Sequence, residues 1–138
     1  MPRGSQAFNL GEIFRYQQAI GAEDIHVYTY LEAHGDTCLD TKSVEIQIDS
    51  EPIAGMLVGG PRTGSPPEQV HFKKIKESFP DKPLILGSGL NKGNIADLLP
   101  YADGVIVGTT IKEDAFLHNP INFDKAKALI EAAGKVNK

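Results

Sequence analysis

Residues 83–112, PLILGSGLNKGNIADLLPYADGVIVGTTIK, constrain the fold more than any other stretch of the chain. Leu84, Ile85 and Leu86 make a short unbroken apolar run, as expected of a strand covered on both faces, and the run stops at Gly87-Ser88-Gly89. Asn91 is placed to cap a helix with Ile95, Leu98 and Leu99 on one face, and Pro100 to end it. Gly104-Val105-Ile106-Val107 reads as a second buried strand, closed by Gly108-Thr109-Thr110. The stretch is therefore a βαβ unit whose two glycine turns fall at strand C-terminal ends, where parallel α/β folds bind ligands. Turn amides point donors outward and glycine lets an anion approach the backbone. The pair thus predicts a phosphate site at Gly87, Ser88, Gly89, Gly108, Thr109 and Thr110. Either tripeptide alone is equally a tight turn. Two in consecutive units argue for a shared site, because the loops after the last two strands of (βα)8 barrels often form one.

The rest of the chain continues the alternation. Residues 1–8 read as a loose start. Asn9 with Glu12 resembles a capping box, and Leu10, Ile13, Phe14 and Gln17 give a helical stripe ending near Gly21. Residues 25–31 (IHVYTYL) are β-branched and aromatic, a strand that delivers Glu32 and His34 into the following loop. Residues 35–52 are ambiguous: Val44, Ile46 and Ile48 alternate as in a strand, whereas Ser43 would cap a short helix. Residues 53–58 (IAGMLV) form another buried strand, followed by the glycine-rich loop 59–64. Ser65, Pro66 and Glu68 supply N-cap, first-turn proline and capping-box glutamate for a helix with Phe72, Ile75 and Phe79 inward. After Asn119-Pro120 a last helix carries Phe123, Ala126, Leu129, Ile130 and Ala133 on one stripe and ends at Gly134. Such alternation means an α/β fold with a parallel sheet and right-handed crossovers. Its four strands are half of a (βα)8 barrel.

At 138 residues the chain suits one domain, 1–138, with a real core. A net charge of −4 argues against a nucleic-acid footprint, and no Lys/Arg cluster opposes that. No apolar run approaches membrane-spanning length and the amino terminus has no signal-peptide core, so the expectation is a cytoplasmic protein without a membrane span. The one cysteine, Cys38, excludes an internal disulfide and a thiolate metal cluster.

The runs GPRTGSPP, PLILGSGLNKGNIADLL, ADGVIVGTTIKED and NPINFDKAKALIE, in this order, resemble the carboxy-terminal part of the BtpA family of (βα)8 barrels. Upstream, FRYQQAIGAEDI is similar to the segment before that family's fifth strand. The resemblance implies a partial, half TIM (βα)8 barrel of four parallel strands, of the ribulose-phosphate-binding-barrel kind, beginning at about the family's fourth helix. The family takes its name from a member implicated in photosystem I biogenesis. It also includes bacterial proteins encoded beside sugar-transport genes, and its members generally have no established reaction. Where the family's fifth strand carries an acidic residue and a basic stretch ending in histidine, this chain has TYLEAH and retains only His34.

The candidate residues follow. His34 and Glu32 stand where a barrel places catalytic groups, and an imidazole there can act as general base. Arg62 can fork onto the phosphate, Thr63 can donate to it and Lys112 can neutralise it. His26, His71 and His118 lack ligand spacing, and no metal site or cofactor motif is evident. Asp103 precedes a strand and is read as structural. Three functions are compatible with these residues: a protein binding a phosphorylated small molecule, a non-catalytic assembly factor, or a shortened product without activity of its own. An open half-barrel leaves unpaired edges and an apolar inner face, so the chain is expected to form a homo-oligomer, in the simplest case a homodimer, or to need the other barrel half.

Overall fold

A computed structural model describes residues 10–32, 52–60, 62 and 64–136. The loose start at 1–8 lies outside these residues, as does nearly all of the ambiguous segment 35–52. Helix α1 (Leu10–Ile20) has Leu10 buried with Ile13 and Phe14 against the core. It closes on Gly21 at φ 68°, where Ala22 N donates to Gln17 O and Gly21 N to Gln18 O, the paired bonds of a Schellman end.

Four strands follow, β1 (Tyr28–Glu32), β2 (Gly55–Gly59), β3 (Leu84–Leu86) and β4 (Gly104–Val105). They form one all-parallel sheet in chain order, as the alternation predicts. β3 lies at its expected bounds, β1 and β2 lie within a few residues of theirs, and β4 is cut to two residues, with Ile106 N still bonded to Leu86 O. Helices α2 (Gln69–Ser78), α3 (Ile95–Leu98) and α4 (Phe123–Gly134) separate and follow the strands.

Register decides what each face becomes. The row Leu31, Val58, Leu86 and Val105 and the pair Met56 and Leu84 point to the helices. There Met56, Val58, Leu84 and Leu86 are wholly buried with Phe72 of α2, Ile95 and Leu98 of α3 and Leu129 of α4. Each such side chain contributes about 1.5–3 kcal/mol through burial. The opposite row, Tyr30, Leu57, Ile85 and Gly104, faces away from that core.

Three local expectations are corrected. Helix α2 does not open at Ser65: Glu68 is still extended at ψ 135° and gives no side-chain cap. Two adjacent prolines hold the backbone out of the helical region, and the Ser65 hydroxyl is engaged in a turn with Arg62. Asn91 does not cap α3, since its Oδ1 accepts from Gly93 N at 2.7 Å and Asn94 precedes the helix, which ends at Leu98 as expected ahead of Pro100 in the 3-10 turn Leu99–Tyr101. On α4, capped by Asn122 accepting from Lys125 N at 2.9 Å, only Leu129 of the apolar stripe is buried. Phe123 and Ile130 are 76% and 72% exposed, while other faces of the helix pack on α3 and on the 3-10 turn Thr109–Ile111.

Candidate functional site

The loop after β2 is short and tied to itself. Ser65 N donates to Arg62 O at 3.0 Å across a turn with Gly64 at φ 81°, the positive value such a turn needs. The Ser65 hydroxyl accepts from Arg62 N at 2.9 Å and donates to Arg62 O at 2.6 Å. Gly60 N closes the loop onto Ser65 O at 3.1 Å. So braced, the loop leans on the turn after β3, where Ser88 Oγ donates to Ser65 O at 3.0 Å.

That contact explains Gly89. Its φ is 80°, and a Cβ there would overlap the Ser65–Pro66 peptide. Its carbonyl accepts from Asn94 Nδ2 at 2.9 Å, and Gly87 N extends the ladder by donating to Val58 O at 2.7 Å. The close approach that the glycines permit is thus made by the chain's own loop.

The turn after β4 is open instead. Nothing stands within 4 Å of a Cβ built on Gly108, which leads into a 3-10 turn at Thr109–Ile111. Thr109 Oγ1 lies 4.0 Å from the Cβ position of Gly64, so the loops after β2 and β4 meet. Arg62 is exposed beside this junction and has no ion pair among the described residues. The structure brings Arg62, residues 87–89 and residues 108–110 to the C-terminal edge of the sheet, beyond the ends of β2, β3 and β4. Lys112 is drawn off: its ammonium donates to Leu117 O, and its own carbonyl accepts from Lys125 Nζ.

Tyr30 belongs to this edge and was not singled out by sequence. Its hydroxyl stands where a Gly59 side chain would be, beside the position of Ser88 Oγ, and its ring edge lies 3.4 Å from the Cβ position of Gly87. The signal was available: Tyr30 is in register with Leu57 on the side bearing Gly55 and Gly59.

Glu32 ends β1 at the same end of the sheet, in register with Gly59, while His34, Cys38 and Thr63 lie outside the described residues. The remaining histidines are not brought to the site. His26 is exposed, His71 faces Glu68 at 3.7 Å, and His118 packs edgewise on Phe116. No group of three His, Cys, Asp or Glu able to hold a metal occurs among the described residues. Asp103 is structural, its carboxylate accepting from Leu84 N at 2.8 Å and Lys76 Nζ at 2.7 Å. A groove of about 590 Å³ runs between α3 and α4, floored by Ile95, Ala128 and Ala132, away from these loops.

The profile of the BtpA family matches residues 2–135. An uncharacterised protein of Methanocaldococcus jannaschii is 35% identical over 116 residues, which are 82% of this chain and 41% of that protein. The photosystem I biogenesis protein BtpA of Synechocystis is 28% identical over 90% of this chain and 44% of its own. The putative sgc region protein SgcQ of Escherichia coli is 28% identical over 89% of this chain and 47% of its own. The chain spans about half the length of these relatives. No solved structure matches it. No helix among the described residues is long and apolar enough to cross a membrane.

Proposed function

The chain belongs to the BtpA family, and from that premise we propose that it binds a phosphorylated small molecule, a sugar phosphate or a nucleotide, at the C-terminal ends of its last strands. One observation carries the reading: the loops after β2, β3 and β4 converge, with Thr109 against Gly64 and Ser88 against Ser65. Arg62 supplies a planar cation matched to a phosphate, and Thr109 and Thr110 supply hydroxyls. Gly108 leaves room for the anion. Residues 87–89 then act by holding the braced loop, and with it Arg62, in place. Tyr30 offers a phenolic hydroxyl at the inner rim. The set binds and orients; it contains no acid–base pair that would fix a reaction. Loops after the last strands of a (βα)8 barrel stand at its mouth, which supports the same location.

The test is thermal denaturation with inorganic phosphate, sugar phosphates and nucleotides in turn. Ligand at a hundredfold excess over Kd adds about 2.7 kcal/mol, a rise of roughly 10 °C for a chain of this size. Arg62→Ala should remove most of that rise while leaving the unliganded Tm in place. A panel without any shift would overturn the reading. The name of the Synechocystis relative supports a second one, a non-catalytic assembly factor. Co-purification with a membrane complex by a chain indifferent to every phosphate compound would favour it.

A further inference from the structure

Glycine recurs on the sheet face turned away from the helices. Gly55 and Gly59 alternate with Leu57 along β2, and Gly87 follows β3 with the same parity as Ile85. The tyrosines of β1, Tyr28 and Tyr30, point to that face and enter the space the glycines leave. Tyr28 Cε1 stands 2.9 Å from the Cβ position of Gly55, the first residue of β2, so its ring belongs to the interior.

Tyr30 is laid differently. It pairs with Leu57, yet its hydroxyl occupies the side-chain position of Gly59, one row nearer the C-terminal end. Its Cζ lies 3.2 Å from the Cβ position of Gly59 and its Cε2 3.4 Å from that of Gly87, so the ring reaches from β1 across β2 to the end of β3. Gly59 closes β2, and Gly87 follows β3 directly. The hydroxyl end thus stands at the rim, where a (βα)8 barrel meets its ligand, and not among the layers that fill the interior. One side of the ring rests on the glycines. The side chain is still 53% exposed, and among the described residues no other ring and no cation covers it.

The same contacts tie the ring to the anion site. Ser88 Oγ, 3.0 Å from the Cβ position of Gly59, donates to Ser65 O, and Gly64, the residue before Ser65, meets Thr109. Neighbouring strands lie about 4.8 Å apart, so a ring over the ends of β2 and β3 stands about 5–10 Å from the turn after β4. One sugar unit fills that gap. On the reading of a phosphate site there, we propose that the ligand is a nucleoside monophosphate, whose base stacks on the open side of Tyr30 while Arg62 and the threonines hold the phosphate. Every base presents a π-face, and stacking on an aromatic side chain needs no hydrogen-bond code. A phosphorylated sugar without a base leaves the ring uncovered. Tyr30 is then the residue that selects a nucleotide over a sugar phosphate, and Gly59 and Gly87 are the floor on which it rests.

The test is calorimetric titration of the chain with inorganic phosphate, ribose phosphate and adenosine monophosphate. The nucleotide should bind about tenfold or more tightly than ribose phosphate. Tyr30→Leu keeps the apolar bulk and loses the aromatic face, so it should erase that advantage and leave the affinities for phosphate and ribose phosphate as they were. Tyr30→Phe keeps the face and should retain the advantage. Tyr28→Leu makes the same change deeper on the same strand and should also retain it, which separates stacking from a general loosening of the sheet. Equal affinity for ribose phosphate and the nucleotide, an advantage that survives Tyr30→Leu, or an equal loss in Tyr28→Leu would overturn the assignment and leave the phosphate reading standing. A chain that binds none of the three compounds would overturn both.

Discussion

Gly89 shows what a glycine can and cannot announce. Its φ of 80° and the Ser65–Pro66 peptide filling its side-chain position make Gly89→Ala both strained and overpacked. The substitution should cost about 2–4 kcal/mol, read as a lower urea midpoint at unchanged m. Gly108 instead has open space where a side chain would stand. Gly108→Asp should abolish any thermal protection by phosphate through charge repulsion. If Gly108→Asp retained that protection, the anion would have to sit elsewhere. The sequence marks both positions as places of close approach. It does not say whose atoms approach, because the loop that reaches Gly89 is set by a turn more than twenty residues upstream.

Among the elements, one joint separates a strong contact from a weak one. Asp103 takes the Leu84 amide and the Lys76 ammonium on the same oxygen. Asp103→Ala leaves the amide of a buried strand without that acceptor and should cost about 2 kcal/mol. Lys76→Met removes only the partly exposed ion pair and its solvated carbonyl contacts, and should cost less than about 1 kcal/mol. Equal losses in the two variants would mean that the pair, not the amide, holds the base of β3. The elements legible in advance were those whose signal is local: α1 from its stripe and Gly21, β3 from its apolar run and the glycines after it. The start of α2 is not legible because Ser65 caps a turn as readily as a helix, and its hydroxyl is used by Arg62. The α4 stripe reads as core because periodicity reports an apolar face and is silent on what covers it. Phe123 and Ile130 therefore look like core residues in sequence and lie exposed in the structure.

At the scale of the whole molecule, the sheet's stability should be graded from its centre to its edges. Among the described residues β2 and β3 have hydrogen-bonded neighbours on both sides, whereas β1 and β4 have one each. The central amides, such as Met56 and Gly87 with their bonds to Pro83 O and Val58 O, open only with the core that Phe72 and Met56 fill. Edge amides open by local fraying at far lower free energy. Hydrogen exchange followed by mass spectrometry should thus show a steep gradient, with β1 and β4 exchanging orders of magnitude before β2 and β3. Equal protection of all four strands would mean that β1 and β4 have partners beyond the described sheet.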